Sequence, residues 1–393
     1  MATTNFSFNL KTIIHAQESG INDLPALFSR LGAKRIVLFT DNGLASLGFV
    51  AKFEAIFANQ TDVGIAGIFA DIEPDAGCDN INAAIEFTRS VNADAILSVG
   101  GGSVIDASKG VKYAMHKGLD DIRTVIAGGG HMDVWPNNRN ITVPHIAVPT
   151  TAGTGAEASP IAVFFNEQEK IKASLVASGL EADIAVLDPV LTTKLPAALT
   201  RSTAMDALTH AIEAVVSPLS NPFTDAYSIQ AIKLITHNLP IVLGQPENLT
   251  ARAELLQAST MAISAFYSSL GGIPIHNCAH AFGAICHIPH GDANTVLMPI
   301  VIEALPEFYL ANAKKLQAAL SLQVSDTDES ALAAVIDFLK SLQQTTAAMT
   351  SFADWTIDAV AQAEIVDAIR KDICFQFYPI TDAKIEQIIT AAI

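Results

Sequence analysis

The chain has 393 residues, 50% hydrophobic and 16% charged, with a formal net charge of −17. This length suits two to three domains with a large core, and the composition excludes an intrinsically disordered chain. The acidic balance disfavours a nucleic-acid backbone or an anionic membrane surface as partner, while backbone N–H groups remain able to hold a phosphate locally.

The four cysteines, Cys78, Cys278, Cys286 and Cys374, form no CxxC pair, which fits a reducing cytoplasm. Residues 1–11 show no basic region followed by an apolar stretch, so no signal peptide is expected. Apolar runs such as 95–99 fall short of the ~20 residues needed to span a bilayer.

Short β-branched runs at 35–40, 63–69, 95–99, 145–148, 161–165, 173–176 and 184–187 read as strands. Amphipathic stretches at 44–58 and 80–91 read as helices between the early strands. The alternation predicts βαβ units and a mostly parallel sheet, and the continuously apolar strands suit a sheet covered on both faces.

Asp41 stands where the first of these strands ends. A carboxylate there suits the two ribose hydroxyls of an adenosine and repels a 2′-phosphate, which favours NAD over NADP. Before Asn42-Gly43 it also reads as an ordinary turn aspartate.

The run 95–99 leads into Gly100-Gly101-Gly102-Ser103 and then into a helical stretch. Glycines let the backbone approach a ligand closely, and a helix N-terminus offers unpaired N–H groups to a pyrophosphate. GxGxxG is absent, and a tight turn with Ser103 capping the helix is the competing reading. A second triple glycine, 128–130, precedes His131 and a polar loop with Pro136 and Asn137; no helix follows, and it reads as a loop. Residues 148–157 (VPTTAGTGAE) carry Thr150, Thr151 and Thr154 after another strand. Their hydroxyls suit phosphate, ribose or nicotinamide amide, or the capping of a helix. Two such loops at carboxyl ends of strands point to a ligand at that edge. Asp106 and Lys109, one turn apart after the glycines, read as stabilisers of their helix.

From Pro196 onward the pattern turns helical, at 200–216, 225–239, 251–268, 277–286, 331–342, 358–369 and 385–392. Pro189 and Pro196 bracket a linker, and 322–330 reads as a solvated connection.

Asp206 and His210 stand at i and i+4 within 203–213, and so do His276 and His280 further on. Four of the ten histidines fall between 276 and 290. On one unbroken helix His276 and His290 would stand about 20 Å apart, so the chain must break or turn back near Gly283 or Pro289-His290-Gly291 if both hold one ion. Each buried histidine needs partners for both nitrogens, and a carboxylate with several imidazoles suits Fe2+ or Zn2+. Cys278 and Cys286 read as small core residues.

In combination the chain resembles the iron-containing, or group III, alcohol dehydrogenases. Gly100–Lys109 (GGGSVIDASK) resembles that family's GGGSxxDxxK, and Pro149–Glu157 (PTTAGTGAE) its second nucleotide loop. Met205–Glu213 (MDALTHAIE) and His276–Asn294 (HNCAHAFGAICHIPHGDAN) resemble its two metal motifs. The resemblance implies an α/β N-terminal Rossmann-like dinucleotide-binding domain, residues 1–188, followed by an all-α metal-binding and catalytic domain, residues 189–393. It implies Asp206, His210, His276 and His290 as metal ligands, with iron as the metal and zinc as the alternative. It also implies NAD contacts at Asp41, Gly101, Gly102, Ser103, Thr150, Thr151 and Thr154, with Lys172 in a region of lower similarity. His280 would stand beside the metal as the catalytic proton relay, or as a residue supporting the ligands or touching substrate.

The implied reaction is hydride transfer between NAD(H) and short primary alcohols, diols or aldehydes polarised by the metal, in a homo-oligomer of at least two chains. Two segments depart from the family. Pro74-Asp75-Ala76 stands where many members have Pro-Asn-Pro, and Cys374 to Ile380 lacks the usual Asn-Pro-Arg. A zinc polyol dehydrogenase, a dehydroquinate-synthase-like lyase and a non-catalytic NAD-binding assembly protein are the competing readings. The scarcity of Lys and Arg around the metal motifs argues against the lyase.

Overall fold

Strand β2 (Arg35–Phe39) shows why the first half folds as a doubly covered sheet. Val37 and Phe39 pack into the core on one face, Ile36 and Leu38 into the core on the other. Such alternation on a fully buried strand needs helices on both sides. The computed structural model describes residues 6–134 and 141–393, so the expected loop at Pro136 and Asn137 lies outside the described residues.

Two compact units make up the chain. One comprises Leu10–Thr151 and Gly155–Thr193; the other comprises residues 6–9, Ala152–Thr154 and Lys194–Ile393. In the first unit the strands are β1 (Ile13–Ala16), β2, β3 (Gly64–Phe69), β4 (Ala95–Gly100), β5 (Gly130–Asp133), β6 (His145–Pro149), β7 (Ile161–Asn166), β8 (Ile171–Ala177) and β9 (Ile184–Leu187). Its helices are α1 (Leu24–Arg30), α2 (Asn42–Ser46), α3 (Phe49–Phe57), α4 (Cys78–Ser90), α5 (Gly102–Lys117) and α6 (Arg123–Ile126). Six strands form an all-parallel sheet in the order β1-β9-β6-β4-β2-β3.

Three expectations change. The runs at 161–165 and 173–176 do not join the parallel sheet; they become the antiparallel pair β7–β8 of a separate sheet ordered β5-β8-β7. The second triple glycine is more than a loop, because Gly130 opens β5, which pairs with β8. The stretch 44–58 is two helices, since Gly48 takes φ 83° between α2 and α3, a conformation glycine adopts at little cost.

Helix α5 carries two fully buried lysines. Lys109 Nζ donates to Asp106 Oδ1 at 3.2 Å, Ser159 Oγ at 3.2 Å and the Ile161 carbonyl at 2.6 Å. Asp106 Oδ2 accepts from Val163 N at 3.1 Å, so the pair ties β7 to α5 as well as bracing its own helix. Lys112 Nζ donates to the Glu181 carbonyl at 2.6 Å and lies 3.6 Å from Asp183 Oδ2.

The second unit is helical: α7 (Ala197–Val216), α8 (Pro222–Gly244), α9 (Leu249–Ser268), α10 (Pro274–Cys286), α11 (His290–Ala304), α12 (Pro306–Tyr309), α13 (Ala313–Ala319), α14 (Asp328–Thr345), α15 (Ala359–Lys371) and α16 (Asp382–Ala392). Helix α8 starts with Asn221 and Thr224 in a reciprocal capping box and Pro222 in the first turn. Helix α7 is buried nearly all round from Ala204 to Val216, and such a helix belongs in a core. Its Met205, Leu208 and Ile212 join Ile275, Phe282, Leu297 and Ile302 of α10 and α11 in one cluster. Each such fully buried side chain contributes roughly 2 kcal/mol. Among the described residues no single helix is long and apolar enough to cross a membrane.

Lys112 generates a pH test. Burial lowers its pKa to about 8, against the opposing pull of Asp183. An unfolded lysine keeps its proton to about pH 10.4, so between these values the unfolded chain binds more protons and this group's contribution to stability rises with pH. The unfolding free energy of the wild type minus that of Lys112→Met should therefore increase from pH 8 to pH 10. Urea titrations at both pH values measure it; a constant difference would contradict the buried, depressed lysine.

Candidate functional site

Asp206, His210 and Glu213 lie at i, i+4 and i+7 of α7, on one face of a core helix, and are 3%, 7% and 0% exposed. Polar groups so deep are costly without partners, and the next two helices bring them. Pro274 opens α10, where its missing N–H costs nothing. The helix stops at Cys286, His287 caps it in the left-handed conformation at φ 55°, and α11 begins at His290 after Pro289. The chain thus turns back where the spacing required it. The ring centroids of His276 and His290 lie 5.5 Å apart, and His287 serves as the cap of the turn.

Asp206, His276 and His290 offer ligand atoms that all lie within 4.8 Å of one another. His276 Nε2 stands 3.7 Å from Asp206 Oδ1, and His290 Nε2 stands 3.4 Å from the same oxygen. Two ligands held tetrahedrally at about 2.1 Å from one ion stand about 3.4 Å apart. His276 Nε2 is also buried without a hydrogen-bond partner, as is His210 Nδ1. An orphaned imidazole nitrogen, His276 Nε2, facing a carboxylate at ligand spacing fits a divalent cation, and the donor set of one carboxylate with imidazoles suits iron or zinc. His210 stands outside the tight trio; its ring stacks on His276 at 4.6 Å between centroids and meets Phe266 edge-on at 4.8 Å.

The electrostatics keep Asp206 ionised and His210 neutral, while at His276 they favour a proton that a bound cation would replace. Burial pushes His210 down to about 4 despite Asp206. Burial would raise the Asp206 carboxyl, but His210, His290 and His276 outweigh it and hold it well below the usual carboxylate range. Burial would also depress His276, yet Glu213 beside it lifts the imidazole to about 9.

Three supporting residues escaped the sequence reading of roles. Glu213 accepts from Ile275 N at 2.7 Å and from His276 Nδ1 at 2.5 Å. Its i+7 spacing from Asp206 was the available signal. Asn294, at i+4 from His290, donates through Nδ2 to Asp206 Oδ1 at 2.8 Å and lies 3.1 Å from His290 Nε2. Asp372 Oδ2 accepts from His280 Nδ1 at 2.7 Å across 92 residues, a partnership no local pattern announces. Cys278 is fully buried and Cys286 half-buried, as small core residues would be.

The candidate cofactor residues of the first unit gather along one sheet edge. Asp41 follows β2, Gly101 follows β4, and Thr150 follows β6, three adjacent parallel strands. After β2 the chain runs to β3 on one side and then to β4 on the other, so Asp41 and Gly101 flank a topological switch point, where open α/β sheets bind ligands. Asp41 caps α2, accepting from Leu44 N at 2.8 Å. Gly101 is the N-cap of α5, and Gly102 its first residue. Thr150 N donates to the Gly100 carbonyl at 3.0 Å, and a Cβ on Gly101 would meet Thr151 at 3.5 Å. Ser103 is not the cap; its Oγ accepts from Asp75 N at 3.1 Å. Lys172 Nζ donates to Asp75 Oδ1 at 3.0 Å. Thr154 belongs with Ala152 and Gly153 to the helical unit, where Gly153 packs against Thr203 of α7.

Glu213 is the most exacting of these supports. Carboxylates that orient a metal-binding histidine typically contribute 10–100-fold in metal affinity. Glu213→Gln should weaken metal retention by about that factor, read by chelator competition, while far-UV circular dichroism stays that of the parent. Unchanged retention would deny Glu213 this role.

Residues 11–189 match the family model described as iron-containing alcohol dehydrogenase, and residues 200–393 match the C-terminal model of the Fe-containing alcohol dehydrogenase family. The NAD-dependent methanol dehydrogenase of Bacillus methanolicus is 33% identical over 302 residues, covering 76% of this chain and 75% of its own. The 1,3-propanediol dehydrogenase of Citrobacter freundii is 38% identical over 276 residues, covering 69% and 68%. A crystal structure of 1,3-propanediol oxidoreductase matches with a TM-score of 0.89 at 29% identity, over 99% of this chain and 100% of that one. Sequence models over both halves, curated relatives and a shared fold agree that the chain belongs to the iron-containing alcohol dehydrogenase family.

Proposed function

We propose that this chain interconverts short primary alcohols or diols and their aldehydes with NAD(H), with Asp206, His210, His276 and His290 holding a divalent iron. Family membership makes it an NAD-dependent alcohol dehydrogenase. The observation that carries the site reading is the convergence of Asp206, His276 and His290 around a buried imidazole nitrogen with no partner. Relatives named for methanol and 1,3-propanediol support small alcohols and diols as the substrate class.

A metal ion there supplies Lewis-acid polarisation of the substrate oxygen, and nicotinamide supplies or receives the hydride. The chain's residues do the rest. Glu213 holds His276, and Asn294 holds Asp206, in ligating orientation. His280 passes the hydroxyl proton toward solvent. In our reading residues 1–188 bind the dinucleotide and residues 189–393 the metal. Gly101, Gly102 and Ser103 present the first turn of α5 to the pyrophosphate. Thr150, Thr151 and Thr154 bond phosphate, ribose or nicotinamide amide, Lys172 reaches a phosphate, and Asp41 takes the adenosine ribose. Zinc suits the same donors and is the alternative metal. Four free cysteines support a reducing, cytoplasmic setting, and the apolar composition supports assembly into at least a dimer.

Protein purified without oxygen should carry about one iron per chain and oxidise NADH when short aldehydes are added. Mass spectrometry of bound metal and a 340 nm assay read both; no metal and no turnover after Fe2+ is restored would overturn the proposal. His276→Ala should lose metal and turnover yet keep NAD affinity within several-fold, and turnover surviving metal loss would sink the metal mechanism. Asp41→Gly should relax the preference for NAD over NADP. An unchanged ratio of kcat/KM for the two cofactors would remove Asp41 from the ribose site.

A further inference from the structure

His280 sits one turn beyond His276 on α10, and its ring lies nearly parallel to that of His290, with centroids 5.4 Å apart at 21°. It is more exposed than its neighbours, at 42% of its side chain, whereas the Asp372 side chain facing it is 16% exposed. Asp372 follows the last turn of α15 and is held from both sides. Its Oδ1 accepts from Cys374 N at 2.7 Å, and its Oδ2 faces His280 Nδ1 at 2.7 Å. Beside Asp372, His280 holds the carboxyl below the usual range even though burial pushes it up. An ionised carboxylate can only accept, so the hydrogen of this bond sits on His280 Nδ1 and Nε2 is the remaining ring nitrogen.

We propose that Asp372 is a positioning residue for His280: it fixes the ring's tautomer and its orientation beside His290, so that Nε2 is the nitrogen presented to the substrate's proton. This rests on the reading of His280 as the proton-passing residue. The same neighbourhood has a competing use, because His280, Asp372 and Cys374 offer ligand atoms within 4.8 Å of one another. The Cys374 thiol speaks against a second cation. Burial, with Asp372 beside it, pushes the thiol far above its ordinary value, so no thiolate is offered. Both Asp372 oxygens are already engaged, and hydrogen bonding accounts for the cluster without an ion.

Asp372→Asn is nearly isosteric, but its amide can either accept from Nδ1–H or donate to a bare Nδ1, so it no longer selects one tautomer. In the iron-loaded enzyme it should lower kcat about tenfold or more, with KM for aldehyde and bound iron unchanged. Asp372→Glu, which restores an accepting carboxylate, should recover part of the loss. Long-range 1H–15N correlation on histidine-labelled, Zn2+-loaded protein should show His280 as the Nδ1–H tautomer in the parent and a mixture in Asp372→Asn. A single Nδ1–H tautomer and full kcat in Asp372→Asn would overturn the positioning role. A second zinc per chain, lost in Asp372→Asn, would overturn it in favour of a cation site. His280→Ala separates the two readings. If it leaves kcat intact, the proton-passing reading fails and takes this one with it. If it slows the enzyme while Asp372→Asn does not, only the Asp372 proposal falls.

Discussion

A carboxylate with no access to water must find its compensation inside the protein, and Glu213 finds it 62 and 63 residues along the chain. One oxygen takes the Ile275 N–H, which fixes the start of α10 against α7. The other takes His276 Nδ1, and a ring held at Nδ1 has no choice about where Nε2 points. That nitrogen faces Asp206 on the same helix that carries Glu213. The position of His290 then follows from a short covalent path, because α10 ends at Cys286 and the left-handed His287 sends the chain back into α11. Breaking a buried charged contact of this kind typically costs several kcal/mol, which marks it as the joint on which the ligand geometry hangs.

What could be read from the sequence was what depends on near neighbours. The i, i+4 pairs at Asp206/His210 and His276/His280 follow from helical period alone. The turn between His276 and His290 followed from the length of a helix, without any knowledge of what packs where. The doubly covered parallel sheet followed from continuously apolar strands. What escaped depends on distant partners or on backbone angles. Nothing within Ile161–Asn166 and Ile171–Ala177 says that they pair with each other rather than enter the main sheet. Gly48 looks like any helical glycine until its φ is known. Asp372 meets His280 across 92 residues, and Lys112 meets Glu181 and Asp183 across about 70.

The edge proposed for the nucleotide is built differently. Strand order places Asp41, the triple glycine and Thr150 side by side using only backbone ladders, so the loops need few contacts of their own. Asp75 is the exception. It takes a positive φ of 53°, and binds Ser103 through its N–H and Lys172 through its carboxylate. The ion pair is exposed on both sides, 44% and 75%, and a pair so solvated contributes about 1 kcal/mol at most. A phosphate, with more charge and more acceptor oxygens, competes for the lysine on favourable terms. Asp75 thus leaves Lys172 loosely held, not committed.

One contact sets the gauge of the proposed metal site. A Cβ on Gly291 would stand 2.3 Å from the Ser202 carbonyl oxygen, so α11 and α7 touch there through main-chain atoms, one residue after His290 and one turn before Asp206. Side chains can change rotamer; carbonyls and Cα atoms in contact cannot. In mechanical terms the pair of helices closes against a hard stop. Bringing α11 and α7 closer together at this corner would take a shift of main chain rather than a change of rotamer.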